Sequence, residues 1–291
     1  MSRRNNMDRV GGPSSNNAEA PPQTTTEQKK EGFNPLNFVA PTDFVELPSK
    51  GRYYPSGHPL HNQEVIEIRF MTAKDEDILS SRALLKKGIA IERFLQNIIV
   101  NKSIRVEDLL VGDRNAILIA SRISGYGAEY ETQINCPACS HRSTFTFNLN
   151  NKTYFDILEV SEKLKVKKVD DGLFETEMPF SKFKIQFKLL NGKDEVYLAQ
   201  VSSKKQKNKA LESALTEQYK LMIKSIEGHT DFSVISQYVS NMPTLDSRHL
   251  RACYKSVAPD VKVIENFECP SCGHEQEMEV PFGADFFWPD R

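Results

Sequence analysis

The sequence has no run of 18 apolar residues, so no segment is predicted to cross a membrane. Its 38 lysines and arginines are balanced by 39 aspartates and glutamates in a chain of 291 residues. A generic nucleic-acid-binding protein usually carries an excess of basic residues, and this balance argues against one. No apolar stretch follows the N-terminal arginines, so we expect no signal peptide.

Recognised catalytic motifs are missing as well. The sequence holds no phosphate-binding loop, no dinucleotide fingerprint, no G-x-S-x-G and no H-E-x-x-H. Acidic pairs open two predicted helices, at Asp75-Glu76 and Asp194-Glu195, but interaction with the helix dipole explains them more simply than acid–base catalysis. We therefore expect no enzymatic activity and no small-molecule substrate.

Cysteine is scarce, with five residues in the whole chain. A disulfide framework is not expected in a chain of this size without an export signal. Four of the five form two C-x-x-C pairs, Cys136 with Cys139 and Cys269 with Cys272, and Cys253 stands alone. We interpret Cys253 as a buried small residue on an apolar helix face.

The two cysteine pairs have the pattern of zinc knuckles. Each begins Cys-Pro, ends with a small residue after the second cysteine, and lies between segments that alternate apolar and polar residues. Four convergent thiolates suit a tetrahedral metal, so Cys136, Cys139, Cys269 and Cys272 are predicted to hold one structural ion. Zn²⁺ is the preferred ion, and the spacing leaves a [4Fe–4S] cluster open as the alternative.

The cysteine pattern allows other interpretations. A redox dithiol would be expected to open a helix, whereas strands flank both motifs. Two turns without metal would leave exposed paired thiols with no benefit. His141 and His274, two residues after each knuckle, are candidates to replace a thiolate but are more often outer-shell or surface groups.

The order of the predicted elements repeats along the chain. Lys74-Asp75-Glu76 after one strand corresponds to Lys193-Asp194-Glu195 after another, and a predicted helix N-cap precedes each knuckle by 23 residues, at Asp113 and Asp246. This pattern predicts an α+β fold of two pseudo-repeated lobes, each with a strand, helices and a β-hairpin knuckle. The knuckles lie far apart in sequence, and a zinc-ribbon-like four-cysteine site would join the lobes.

These patterns divide the chain into four parts. Residues 1–40 are rich in Asn, Ser, Thr and Pro and are predicted to be a disordered or partner-bound tail. The first lobe covers residues 41–155 and the second 156–282. Residues 283–291 form an aromatic tail in which Phe286, Phe287 and Trp288 either anchor in a partner or fold back onto the chain's own core.

Several of these residues together resemble the T4-type phage baseplate protein family. The matching segments are Leu47-Pro48-Ser49-Lys50-Gly51 with Tyr53 or Tyr54, Met71-Thr72-Ala73-Lys74-Asp75-Glu76, Gly112-Asp113-Arg114, Tyr126-Gly127, Cys136-Pro137-Ala138-Cys139 and Phe286-Phe287-Trp288-Pro289. The resemblance is good over residues 44–150, and the opening motif and the Thr-Ala-Lys-Asp-Glu junction are specific in combination.

The resemblance implies a structural hub subunit of the baseplate of a contractile-tailed phage. It further implies contacts with other hub and wedge proteins, assembly in the bacterial host cytoplasm and a final location in the virion tail. The metal prediction does not depend on it, because that prediction comes from the knuckles. A function of a different class, a zinc-ribbon nucleic-acid-binding factor, is the alternative that the cysteines leave open.

Overall fold

The computed structural model describes residues 39–155, 164–170, 172–207, 214–281 and 284–287. The chain divides into a unit of residues 1–39 and a unit of residues 40–291, and the second unit contains all the described helices and strands. The predicted N-terminal tail therefore lies outside the described residues, except at its last two positions.

The first part of the described chain, to residue 155, combines strands and helices. Its elements are β1 (Thr42–Glu46), β2 (Val65–Arg69), α1 (Ala73–Ser80), α2 (Arg82–Lys87), α3 (Ala90–Ile98), α4 (Val111–Tyr126), β3 (Glu129–Asn135), β4 (Arg142–Asn148) and β5 (Lys152–Phe155).

The second part repeats the mixture. Its elements are β6 (Lys167–Asp170), β7 (Leu173–Glu177), β8 (Lys184–Lys188), α5 (Gly192–Lys207), α6 (Ala214–Met222), β9 (Ile223–Ile226), α7 (Phe232–Asn241), α8 (Thr244–Val257), β10 (Asp260–Glu268) and β11 (Glu275–Glu279). A 3-10 turn, Ala284–Phe287, follows. The predicted mixture of helix and strand is confirmed.

All strand pairs between these elements are antiparallel. β1 pairs with β2, β3 with β4, and β6 to β9 form a sheet in sequence order. The remaining sheet has the order β11-β10-β5, in which β5 comes from the first part of the chain. Tyr154 pairs with Val261 and Lys152 with Val263, so the strand after the first hairpin extends the second hairpin.

The core lies where apolar faces of helices pack against these sheets, although α2 contributes no buried residue. On α3, the side chains of Phe94, Leu95 and Ile98 are completely buried, as expected from their three- and four-residue spacing. Apolar spacing predicts helices over residues 73–87 and 89–100 with a break near Gly88. The structure has this break, and Gly88, with a φ of 68°, closes α2 in the left-handed conformation. A second break at Ser81 separates α1 from α2 and was not expected.

The predicted N-cap roles of Asp113 and Asp246 are wrong. Helix α4 begins at Val111 and α8 at Thr244, so each aspartate lies in the first turn of its helix. Both carboxylates are completely buried and accept hydrogen bonds from distant turns: Asp113 from the N–H of Ser49 at 2.9 Å, and Asp246 from the N–H of Phe180 at 2.8 Å. Each aspartate therefore fixes a remote turn instead of its own helix end.

A second pair of aspartates makes matching contacts near the starts of α1 and α5. Asp75 forms an ion pair with Arg69 at 2.7 Å and accepts a hydrogen bond from the N–H of Thr72 at 2.8 Å. Asp194 pairs with the ammonium of Lys188 and accepts from the N–H of Asn191 at 3.1 Å. In both cases, the carboxylate ties the helix to the strand before it.

Candidate metal centre

Two hairpins, β3–β4 and β10–β11, bring the four predicted ligand cysteines together. The sulfur atoms of Cys136, Cys139, Cys269 and Cys272 all lie within 4.8 Å of one another. The Sγ atoms of Cys136 and Cys272 are 3.7 Å apart, and so are those of Cys139 and Cys269. Each short separation joins one hairpin to the other, between the first cysteine of one knuckle and the second cysteine of its counterpart.

The two knuckles share one backbone geometry. In the first, the N–H of Cys136 donates to the carbonyl of His141 at 2.8 Å, and the N–H of Ser140 donates to the carbonyl of Cys136 at 2.8 Å. The second repeats both bonds at 2.9 Å, from Cys269 to His274 and from Gly273 to Cys269. Ser140 (φ 59°) and Gly273 (φ 69°) occupy the same left-handed position, which reverses the chain after the second thiol.

Two of the six sulfur separations match the edge of a tetrahedron around a single ion. Four sulfurs placed about 2.3 Å from one centre are about 3.8 Å apart along each edge of the tetrahedron. The two separations of 3.7 Å are close to that edge. They are much too long for disulfides, whose S–S bond is about 2.05 Å. In a [4Fe–4S] cluster each thiolate binds a different iron atom, so its four sulfurs must stand further apart than they do here.

The cluster has a buried side and an exposed side. Cys136 and Cys269 are each 1% exposed and pack with Phe267, while Cys139 and Cys272 are exposed. Edge-to-face packing of Phe145 and Phe267, with ring centroids 5.6 Å apart, holds the two hairpins together beneath the sulfurs. Four thiolates complete a tetrahedral sphere, so such a site leaves no open position for a reacting water.

The thiols influence one another strongly. Burial would raise the pKa of Cys269, but hydrogen bonds from the N–H groups of Ser271 and Cys272 more than offset burial and lower it to about 6. The N–H of His274 lowers the pKa of Cys272, yet its hydrogen bonds with neighbouring thiols, Cys139 first, raise it to about 12. Crowded thiols resist losing all their protons together, and a bound cation would remove that resistance.

The two histidines that follow the knuckles and the fifth cysteine lie outside this cluster. Within the described ranges, the group of donors that includes the knuckles consists of the four cysteines alone, without His141 or His274. Cys253 is completely buried in α8, where its Sγ lies 3.3 Å from Nε2 of His249, and burial raises the pKa of its thiol.

The aromatic residues near the C-terminus are placed in the chain's own core. Phe286 is 2% and Phe287 1% exposed, which is the arrangement that folding back predicts. Phe286 packs edge-to-face on Tyr130, with centroids 5.1 Å apart, and its carbonyl accepts a hydrogen bond from Nε of Arg122 at 3.0 Å. Trp288 lies outside the described residues.

Two residues that support the site were not anticipated from the sequence. Glu265 of β10 accepts a hydrogen bond from the side chain of Asn151 at 2.9 Å, and so joins the chain after the first hairpin to the second hairpin. Gly112 lies so near β10 that a Cβ there would be 1.9 Å from the carbonyl oxygen of Pro259. In the sequence, the only sign of the contact between Gly112 and Pro259 is the position of this glycine directly before Asp113.

Together, the fold and the cysteine cluster define a mixed α and β protein with a candidate structural metal centre. The chain belongs to the T4 bacteriophage base plate protein family, whose model matches residues 41–288. No curated protein and no solved structure matches it. The family confirms the resemblance and implies a structural role in the baseplate, assembly with other baseplate proteins and a location in the virion tail. Within the described residues, no helix is both long and apolar enough to span a membrane.

Proposed function

We propose that this protein is a structural subunit of the baseplate hub whose two lobes are clamped together by one Zn²⁺ ion. The observation that carries the clamp is the convergence of four thiols from two hairpins that lie 133 residues apart in sequence. The family match over residues 41–288 supports the baseplate role. Contacts with hub and wedge proteins, assembly in the host cytoplasm and the lack of catalysis are parts of the same proposal.

Zinc suits the cluster because it accepts four thiolates in a tetrahedron and has no redox chemistry of its own. When bound, the ion would supply only a cross-link between the knuckles. The apolar packing of Phe145 and Phe267 beneath the sulfurs keeps solvent from the inner two ligands. A single iron ion accepts the same four sulfurs, so elemental analysis is needed to distinguish the two metals.

Two further crossings support a clamp between the lobes. The strand after the first hairpin, β5, pairs with β10 of the second hairpin. In return, the segment after the second hairpin packs Phe286 on Tyr130 of the first. A load pulling the lobes apart would have to break the metal site, a strand pairing and a buried aromatic contact together. This arrangement suits a subunit that must transmit force without local unfolding.

Matched contacts support the division into a first lobe of residues 41–155 and a second of residues 156–282. The ion pair of Arg69 with Asp75 corresponds to that of Lys188 with Asp194, at an offset of 119 residues. The hydrogen bonds within the two knuckles correspond at an offset of 133. We infer that both lobes arose from one ancestral unit and later diverged in the helices between these contacts.

The charge of the second hairpin weighs against nucleic-acid binding by the metal centre. Residues 260–279 contain six carboxylates and one lysine. Among them, Glu268, Glu275 and Glu277 are exposed next to the knuckle. A phosphate backbone would be repelled there, whereas proteins that bind nucleic acids through phosphate contacts present lysine and arginine.

Purified tails of the phage that encodes this chain provide the test. Mass spectrometry should find the chain in tails at a fixed ratio to other baseplate proteins, together with one zinc per copy. Absence of the chain from intact tails would contradict the baseplate role. Salt-dependent binding of the free chain to DNA or RNA at low micromolar concentration would favour the nucleic-acid alternative.

A further inference from the structure

Strand β11 of the second hairpin has one open edge. It is an outer strand of the sheet β11-β10-β5, so β10 is its only neighbour among the described strands. In this pairing the N–H of Val280 donates to the carbonyl of Val263. Pairs that exchange hydrogen bonds alternate with pairs that do not, so Glu275, Glu277 and Glu279 direct their backbone N–H and C=O groups away from β10. No described residue bonds these groups, and an open row of this kind can accept a further strand.

The side chains of these three glutamates are exposed on one face of the sheet. On β10, Glu268 is also exposed, and it is the residue directly opposite Glu275. These two form a pair that does not exchange hydrogen bonds, the kind in which opposite side chains come closest. We call Glu268, Glu275, Glu277 and Glu279 the acidic face.

The surroundings of the acidic face do not neutralise it. On the same side of the sheet, Lys262 of β10 is the one basic residue that the structure describes, and it pairs with Glu279 at 3.4 Å. β5 adds no charge on this side, and His274 lies 3.5 Å from Gln276, whose side chain is on the opposite side. The other three glutamates form no ion pair with a described residue. The face therefore keeps a net negative charge.

This arrangement is unfavourable in the free chain. Like charges directly opposite each other destabilise a pair of strands. The first hairpin has no such pattern, because the positions 133 residues before Glu275 and Glu277 are Arg142 and Thr144. Protection of an open edge against other strands requires charge on the edge strand itself, not a second carboxylate opposite it on β10. A partner that supplies positive charge would explain why both carboxylates are present.

A cavity of about 380 Å³ lies beside the opposed pair, and its walls include Asn266, Glu268, Glu275 and Glu277. It gives room for a long side chain to reach the carboxylates. Within the described residues, the four cysteines are the one group of three or more such donors arranged to hold a metal ion. The cation that suits the acidic face is therefore one carried by a flexible side chain, lysine or arginine.

We propose that β11 binds an extended segment of a different baseplate protein as an additional strand, and that this segment carries lysine or arginine at alternate positions. Its backbone would pair with the open edge, and its basic side chains would lie beside the acidic face. This inference rests on the proposed baseplate function. A second copy fits less well, because antiparallel pairing of β11 with itself would place glutamates opposite glutamates. Nucleic acid would be repelled by the same charges.

Neutralising two of the glutamates should separate docking from folding. Glu275→Gln/Glu277→Gln removes the repulsion with Glu268, so the free variant should unfold at no lower denaturant concentration than wild type. When the variant and wild type compete for the same tails, we expect the variant to be incorporated about tenfold less or worse. Thr144→Lys/Thr146→Lys is the matched control, because it changes the net charge equally at exposed positions of β4. It should compete equally with wild type.

The outcomes of this competition are distinct. Equal incorporation of wild type and both variants would overturn the docking role while leaving the proposed function intact. Equal losses for the two variants would also overturn it, because the effect would then follow net charge and not the acidic face. Absence of every chain from tails would instead overturn the proposed function itself.

A proline tests whether the backbone of β11 takes part. Glu277→Pro removes an N–H that points away from β10, so it leaves the hairpin's own hydrogen bonds in place. We expect it to be incorporated less than Glu277→Gln, which loses the same charge and keeps the N–H. Equal incorporation of these two single variants would overturn docking by strand addition.

Cross-linking in assembled tails identifies the occupant. Photoreactive benzoylphenylalanine is placed in the full chain at position 277 and, as a control, at position 144 of β4. After irradiation, we expect position 277 to be cross-linked to another tail protein, in a segment with lysine or arginine at alternate positions. In tails that contain the chain, cross-links to a second copy or to nucleic acid, or no cross-link, would overturn the inference.

Discussion

The Sγ atom of Cys136 lies 3.7 Å from the Sγ atom of Cys272, although 136 residues separate the two in sequence. The Sγ atoms of Cys139 and Cys269 are also 3.7 Å apart. In both pairs, the first cysteine of one knuckle lies next to the second cysteine of the other, so the two knuckles are related by an approximate two-fold axis. A single ion between them would close a loop that includes the second half of the chain. Such a cross-link limits the freedom of the unfolded chain as well as fixing the folded one.

Replacing one exposed cysteine ligand should lower the affinity for metal without disturbing the packing of the core. Cys139 is exposed, so Cys139→Ser removes a thiolate and leaves no large cavity. Loss of outer-shell partners alone costs about 10- to 100-fold in metal affinity, and we expect loss of a ligand to cost at least that. Competition with a chromogenic chelator measures the change.

Cys253→Ala provides the matched control. This thiol is completely buried in α8 and lies outside the cluster, so its loss should lower the free energy of unfolding by about 1 kcal/mol while the metal content stays unchanged. A fall in metal content in Cys253→Ala, or an unchanged metal affinity in Cys139→Ser, would be inconsistent with the four-cysteine assignment.

The C-terminal aromatic residues should contribute to stability. Phe287 is 1% exposed and packs edge-to-face on Phe94, with ring centroids 5.2 Å apart. Phe287→Ala should lower the free energy of unfolding by about 3–5 kcal/mol, as for other buried phenylalanines. Phe44→Ala, at a position 64% exposed, should change it by less than about 0.5 kcal/mol. Denaturant titration compares the two, and equal small effects would show that the segment does not pack in the core.

The contact between α4 and β10 depends on a missing side chain. A Cβ at Gly112 would be 1.9 Å from the carbonyl oxygen of Pro259, and backbone cannot move aside as a flexible side chain can. Gly112→Ala should therefore lower the free energy of unfolding by at least about 2 kcal/mol. Gly57, where a Cβ meets nothing within 4 Å, supplies the control, and Gly57→Ala should be nearly neutral. The midpoint of thermal unfolding measures the effect in both variants. Equal midpoints for Gly112→Ala and Gly57→Ala would show that the side chain at position 112 does not meet the backbone of Pro259.

The pH dependence of stability should contain a contribution from Asp75. Burial would raise the pKa of this carboxyl, but hydrogen bonds from Arg69, Thr72 and Asn97 outweigh burial and lower the pKa to about 2. Because the folded pKa lies below the ordinary value of 3.8, the stabilisation is complete above that value and is lost as the pH falls towards 2. After allowance for solvent screening, it amounts to about 1–2 kcal/mol.

Comparison of Asp75→Asn with wild type isolates this contribution, because acid release of a metal would affect both chains. The difference in free energy of unfolding should be greatest near pH 6 and shrink between pH 4 and pH 2. In that range, unfolding of wild type takes up as much as about one proton, which the variant does not take up. Asp77→Asn, at an exposed position on the same helix, should match wild type throughout. A difference for Asp75→Asn that does not vary with pH would contradict the lowered pKa.

The parts of the fold that follow a local pattern could be predicted from the sequence. Both hairpins were predicted because alternation and a Cys-Pro turn act over a few residues, and the equal spacing of the knuckles suggested that they meet. The roles of Asp113 and Asp246 could not be derived in this way. An aspartate near a helix start resembles an N-cap, and only the folded chain shows that the turns at Ser49 and Phe180 occupy both carboxylates.

Short strands next to helices were also missed. Strand β9 directly follows α6, and apolar spacing alone predicts a helix around residues 209–227 that includes it. Pairing of Ile226 with Ile185 of β8 overrides that local preference. The pairing of β5 with β10 could not be derived from the sequence, because it depends on how distant parts of the chain pack. For Phe286, the sequence left two positions open, the chain's own core and a partner, and only the folded chain distinguishes them.

X-ray absorption spectroscopy at the zinc edge, on chain purified without chelators, tests the central claim most directly. We predict one zinc per chain, bound by four sulfur atoms at about 2.3 Å and by no nitrogen or oxygen atom. Less than half an equivalent of zinc, or a zinc shell with two or fewer sulfur ligands, would contradict it.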